Sequence, residues 1–171
     1  DPAATEIKIE TDKNLLDQVE VYRYSDGRYV IQYKKIIVIK GGKNKRGIAK
    51  VTLPYDDRLK TITAKLEGTC KVKNNADGTL RFDQLSVTVE NLYSTVDVDA
   101  KVQELTVNCS DYAEFGDEYY HTMVLRNLNV ELSDNAQAYI AIEGCAVRGS
   151  VTENSLLRCS GFNYRSEERR V

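Results

Sequence analysis

A chain of 171 residues with 42% hydrophobic and 29% charged residues is an ordinary globular protein, large enough to bury its own core and not a disordered one. A net charge of −2 gives no global attraction to nucleic acid or anionic membrane, and no apolar stretch approaches the roughly 20 residues that span a bilayer. Cysteines 70, 109, 145 and 159 show neither CxxC nor Cys/His metal spacing, and their even number permits disulfides without implying them.

Val, Ile, Thr and Tyr recur in short alternating runs bounded by Gly, Asn and Asp, which is strand-and-turn chemistry. Ile7 and Ile9 alternate with charged residues in a first strand, and Asp12 to Asp17 offers a helical turn carrying Leu15 and Leu16. Val19 to Tyr24 and Arg28 to Tyr33 flank Asp26-Gly27, a two-residue hairpin signal that predicts Tyr24 opposite Tyr29 and Tyr22 opposite Ile31. Ile36 to Ile39 and Ala49 to Leu53 are further strands around a glycine-bracketed loop at 41–47.

From residue 60 the pattern becomes a repeat. Ile62-x-Ala64-x-Leu66, Leu85-x-Val87-x-Val89, Leu105-x-Val107-x-Cys109, Leu128-x-Val130-x-Leu132 and Val147-x-Gly149-x-Val151 overlay without gaps, with starts 23, 20, 23 and 19 residues apart. Period two points each triplet to one side of a strand. A polar corner follows every triplet, and its central column reads Gly68, Asn91, Asp111, Asp134, Glu153. The first four of these tolerate a left-handed backbone. Such a period, with strand and corner in register, predicts an all-β solenoid whose rungs stack ~4.8 Å apart. A β-sandwich also gives short strands and frequent turns, but it does not require column-by-column identity. The variable spacing implies insertions, such as Asn74 to Thr79 and Glu118 to Thr122. The expected organisation is a single domain over 1–171, with N-terminal strands and a hairpin at 1–59 and repeated rungs at 60–165.

Asn14-Leu15-Leu16-Asp17, Val19-x-Val21, Asp26-Gly27, Ile31-x-Tyr33 and Val51-x-Leu53-Pro54, followed by Leu59, Ile62, Leu66 and the repeated corners, give the chain a family resemblance. It resembles the auto-transporter adhesin head domain family, the GIN-domain family of Bacteroidetes and other bacteria. The resemblance implies a right-handed, single-stranded β-helix similar to pectin-lyase-like folds. It also implies no catalytic residues, a role in cell adhesion, and export to the periplasm, outer membrane or cell surface. Asp1 in place of a Met is compatible with a removed leader. Family corners commonly read Gly-Ser-Gly, whereas here only Gly68 remains, making the corner face more acidic. The family has no shared site motif, so no functional residue transfers.

The remaining candidates are read on their own chemistry. His121 has no nucleophile or metal partner at a readable spacing, and it reads as an exposed loop histidine. Asp111, Glu114, Asp117 and Glu118 lack calcium-loop spacing and read as solvated insertion charges. Tyr112, Tyr119 and Tyr120 offer flat faces for sugar rings. Asp97 and Asp99, at i and i+2 on a strand, are the best acid/base pair for a polysaccharide-active enzyme. The hexapeptide period of an acyltransferase helix is missing. Seven basic and no acidic residues lie from Lys34 to Lys50, with Lys43, Lys45 and Arg46 as the contacts for an anionic glycan or surface. Edge lysines that discourage strand aggregation explain the same tract. The sequence therefore predicts a non-catalytic surface-binding module without catalytic residues, metal or cofactor. Its partner is an anionic glycan or cell-surface ligand and not nucleic acid, with homo-oligomerisation open. A structural stalk is the alternative, and a β-helix enzyme stands behind both.

Overall fold

The structure is a computed structural model that describes residues 7–11, 13, 16–25, 29–34, 50–52, 59–64, 69–73, 79–91 and 94–161. The chain divides into two compact units, residues 1–55 and 56–171.

In the first unit β1 (Lys8–Glu10) pairs antiparallel with β4 (Lys50–Thr52), placing Ile9 opposite Val51. A single 3-10 turn, Leu16–Gln18, leads into a hairpin of β2 (Val19–Arg23) and β3 (Tyr29–Tyr33). The hairpin forms, but one register away from the prediction. Arg23 stands opposite Tyr29 and Tyr22 opposite Val30. The Arg23 guanidinium lies 5.6 Å from the Tyr29 ring centroid, so a cation–π pair closes the hairpin in place of two facing tyrosines. The predicted strand at Ile36 to Ile39, Leu66, and the loop carrying Lys43, Lys45 and Arg46 lie outside the described residues.

The second unit is a β-solenoid of about four turns. One run of parallel strands consists of β5 (Thr61–Ala64), β7 (Leu80–Val89), β9 (Ala100–Cys109), β11 (Thr122–Leu132) and β13 (Ala146–Val151). The other consists of β6 (Thr69–Val72), β8 (Thr95–Val98), β10 (Glu114–Phe115), β12 (Gln137–Ile142) and β14 (Leu156–Ser160). Strands of the two runs alternate along the chain. In β7 and β9 two successive outward residues, Asp83-Gln84 and Gln103-Glu104, reverse the alternation. In β11 a register shift between Val124 and Asn127 does the same. The long strands thereby bend and supply a third short face, where Leu80, Ala100 and Thr122 align. Across the outside of this bend Gln84 and Asn127 both donate to Glu104, at 3.1 and 3.2 Å.

The predicted columns align in part, and their members on β13, Val147 and Val151, are exposed rather than buried. Leu85, Leu105, Leu128 and Val147 align, as do Val89, Cys109, Leu132 and Val151. The first repeat slides by two residues: Ile62 joins Val87 and Ala64 joins Val89, so Ile62 does not belong to the Leu85 column. A further column, Cys70, Val96, Phe115, Ala138 and Leu157, runs along the other strands. There the large Phe115 ring sits between small Val96 and Ala138. Cys70 and Cys109 thus occupy different faces as well as different turns, and none of the four cysteines is bridged.

The corners follow the sequence closely. Three of them close with the N–H of Ala113, Ala136 or Ser155 donating to the carbonyl three residues back, at Ser110, Ser133 or Thr152. Their central residues, Asp111-Tyr112, Asp134-Asn135 and Glu153-Asn154, all have φ between 54° and 63°. Two consecutive left-handed residues mark a type I′ turn. Glu153 adopts this conformation although glutamate disfavours it, because the stack of corners beneath sets the backbone.

Candidate functional site

The chemistry gathers on the outer surface of β8 and β10. Along β8, Val96 and Val98 face the core while Asp97 faces outward. After β10 the chain leaves the wall at Gly116 (φ 73°), whose N–H donates to the Val96 carbonyl at 2.7 Å. A Cβ there would stand 2.4 Å from the carbonyl oxygen of Tyr139, so glycine is required at this exit. Residues 117–121 then fold back over the wall. The Tyr119 N–H donates to Asp117 Oδ1 at 2.9 Å and the Tyr120 N–H to the Asp117 carbonyl at 3.0 Å, with Tyr120 left-handed at φ 55°.

This fold-back brings His121 to Asp97. His121 Nδ1 lies 3.4 Å from Asp97 Oδ2 and 4.0 Å from Asp117 Oδ1. One potential ligand atom from each of the three residues lies within 4.8 Å of the others. The Asp97 side chain is only 17% exposed, and its Oδ1 is buried without a hydrogen-bond partner among the described residues. Burial, and after it the Asp117 charge, raises the Glu114 carboxyl above its ordinary value.

Aromatic rings border the cluster. Tyr119 is 73% exposed and stacks on His121 with centroids 5.9 Å apart and an interplanar angle of 15°. Tyr120 meets Tyr139 edge-on at 6.1 Å, and the Arg158 guanidinium covers Tyr139 at 5.8 Å. The Tyr139 hydroxyl donates to Gln137 Oε1 at 2.9 Å.

Of the predicted tyrosines, Tyr119 and Tyr120 belong to this surface. Tyr112 is exposed on the corner before β10, whereas they stand on the one after it, so the strand separates them. The Asp97–Asp99 pair is not the constellation that forms. Asp97 turns to His121, and Asp99 is exposed with its N–H donating to the Val72 carbonyl. From the acidic stretch only Asp117 joins the cluster. Sequence reasoning missed the approach of His121 to Asp97, 24 residues apart. The signal was the solenoid period itself, since one turn plus an insertion separates the two.

Comparison with protein-family models, with curated proteins and with solved structures returns no match. No helix among the described residues is long and apolar enough to cross a membrane.

Proposed function

We propose that the chain is a non-catalytic binding module of the adhesin-head type, exported to the cell surface or periplasm, that engages glycans through the surface of β8 and β10. The observation that carries this reading is the Tyr119–His121 stack standing over Asp97 and Asp117. An exposed ring of this kind offers an apolar face to a sugar ring, and adjacent carboxylates accept its hydroxyls. Loss of such an anchor ordinarily costs about 2 kcal/mol or more, or roughly thirtyfold in affinity. Titration of the protein with oligosaccharides selected on a glycan array should therefore show Tyr119→Ala weakening binding by roughly thirtyfold or more. Thermal stability should hardly change, because the ring is exposed. Binding that Tyr119→Ala leaves intact overturns the assignment of the surface, and new reducing ends or unsaturated products overturn the non-catalytic assignment.

A structural stalk is the second reading. It is favoured by β13, all six residues of which are exposed and which pairs only with β11 among the described residues. A screen in which no glycan binds returns the chain to this reading.

A further inference from the structure

We propose that Asp97, Asp117 and His121 form a binding site for a divalent transition-metal cation of the zinc class. The inference stands on the cluster's own geometry and does not depend on glycan recognition.

The donor set is mixed, two carboxylates and an imidazole nitrogen, drawn from a strand and from the loop that folds back over it. Zinc holds such ligands at about 2.0–2.2 Å, which places tetrahedral ligand atoms about 3.4 Å apart. The His121–Asp97 separation of 3.4 Å already meets that value. The 4.0 Å separation of His121 from Asp117 closes with a small rotation of side chains. Calcium takes six to eight oxygen ligands, whereas this site offers three protein ligands and one is a nitrogen.

Burial supplies the second line. Asp97 Oδ1 is buried and has no hydrogen-bond partner among the described residues. Leaving a carboxylate oxygen in that condition is costly, and the usual compensation is a paired charge or a coordinated metal. Of the two Asp97 oxygens, His121 Nδ1 faces Oδ2. An ordinary His–Asp contact therefore leaves Oδ1 unsatisfied, whereas a cation seated among the three side chains compensates the whole carboxylate. The Tyr119 N–H to Asp117 Oδ1 and the ring stacked on His121 hold the other two ligands in place. With His121 39% and Asp117 33% exposed at the side chain, a fourth coordination position faces solvent.

The test uses the full chain freed of metal by chelator. Calorimetric titration with Zn2+ should show one equivalent bound, and Zn2+ should raise the melting temperature. Asp97→Asn and His121→Ala should each weaken binding more than tenfold and abolish the thermal shift. Glu118→Gln, an exposed neighbour outside the cluster, should change neither. His121→Ala alters a partly exposed loop residue, so it remains informative if Asp97→Asn fails to fold. Co2+ substitution should give visible ligand-field bands without the near-ultraviolet band of thiolate ligation. Absence of Zn2+ binding, binding unchanged in His121→Ala, a thiolate band, or displacement by equimolar Ca2+ would each overturn the proposal.

Discussion

β11 and β13 carry the same column pattern in adjacent turns, and their fates differ. In β11, Leu128, Val130 and Leu132 are buried to 2% exposure or less. In β13, Val147 and Val151 occupy the same columns yet are 42% and 44% exposed. Nothing in the local alternation separates them. What differs is the number of covered sides: β11 pairs with both β9 and β13, while β13 pairs only with β11 among the described residues. Burial in a solenoid is therefore a property of position in the stack, and an apolar triplet earns its stabilisation only when a rung lies on either side of it.

The sharpest way to break this comparison is to truncate the same column in both strands. Leu128→Ala removes a side chain with no exposure and should cost about 2–5 kcal/mol. Val147→Ala, directly above it, should cost less than about 1 kcal/mol, because part of that side chain is already in water. Urea unfolding of both variants measures the difference. Equal losses would mean that β13 is covered as fully as β11.

A second comparison concerns the middle column, where Val130 in β11 is followed by Gly149 in β13. Gly149 has φ 132°, and a Cβ there would lie 1.7 Å from the Val130 carbonyl oxygen. Gly149→Ala must therefore displace β13 or its backbone conformation, at a cost of about 1–3 kcal/mol. Because β13 pairs only with β11 among the described residues, it can shift locally, so the loss should be smaller than that of Leu128→Ala. Faster amide exchange confined to residues 146–151 would locate it, whereas global destabilisation as large as that of Leu128→Ala would contradict a locally adjustable last turn.

Much of the fold was legible because a solenoid writes its columns directly into the sequence. The Leu85, Leu105 and Leu128 column and the corner residues Asn91, Asp111 and Asp134 were all readable, since each turn repeats the same environment. Ile62 was misplaced because a third apolar residue, Leu66, invited a full triplet, whereas the strand register follows Ala64 against Val89. The site was less legible for a related reason. The repeated triplets lie on one strand of each turn, and the Val96, Phe115 and Ala138 column lies on the other. Beside that column, Asp97 follows Val96 on the outer face, and Gly116-Asp117 leave the wall in the next turn. His121 then falls within reach of both, although its position in the chain suggested an isolated loop residue.

The smallest expected effect vanishes at neutral pH and separates the buried turn from the last one by thiol chemistry. Cys109 lies under Leu132 with 3% exposure, and burial pushes its thiol up to about 12. Cys159, on β14, is half-buried and raised chiefly by burial, with Cys145 adding to it. Alkylation of the native protein should accordingly reach Cys145 and Cys159 well before Cys109, because the thiolate is the reactive form. Stability carries the same signature. An unfolded thiol ionises near its ordinary value of about 8.5, so above that pH the unfolded chain binds fewer protons than the folded one. The contribution of Cys109 is thus complete below about 8.5 and declines as pH rises towards 12. Cys109→Val keeps the volume and removes the titration, so its unfolding free energy should fall less steeply between pH 8.5 and 10.5 than that of the parent chain. Parallel pH profiles for the two proteins, or early alkylation of Cys109, would show that the third turn is open to solvent in the way the last one is.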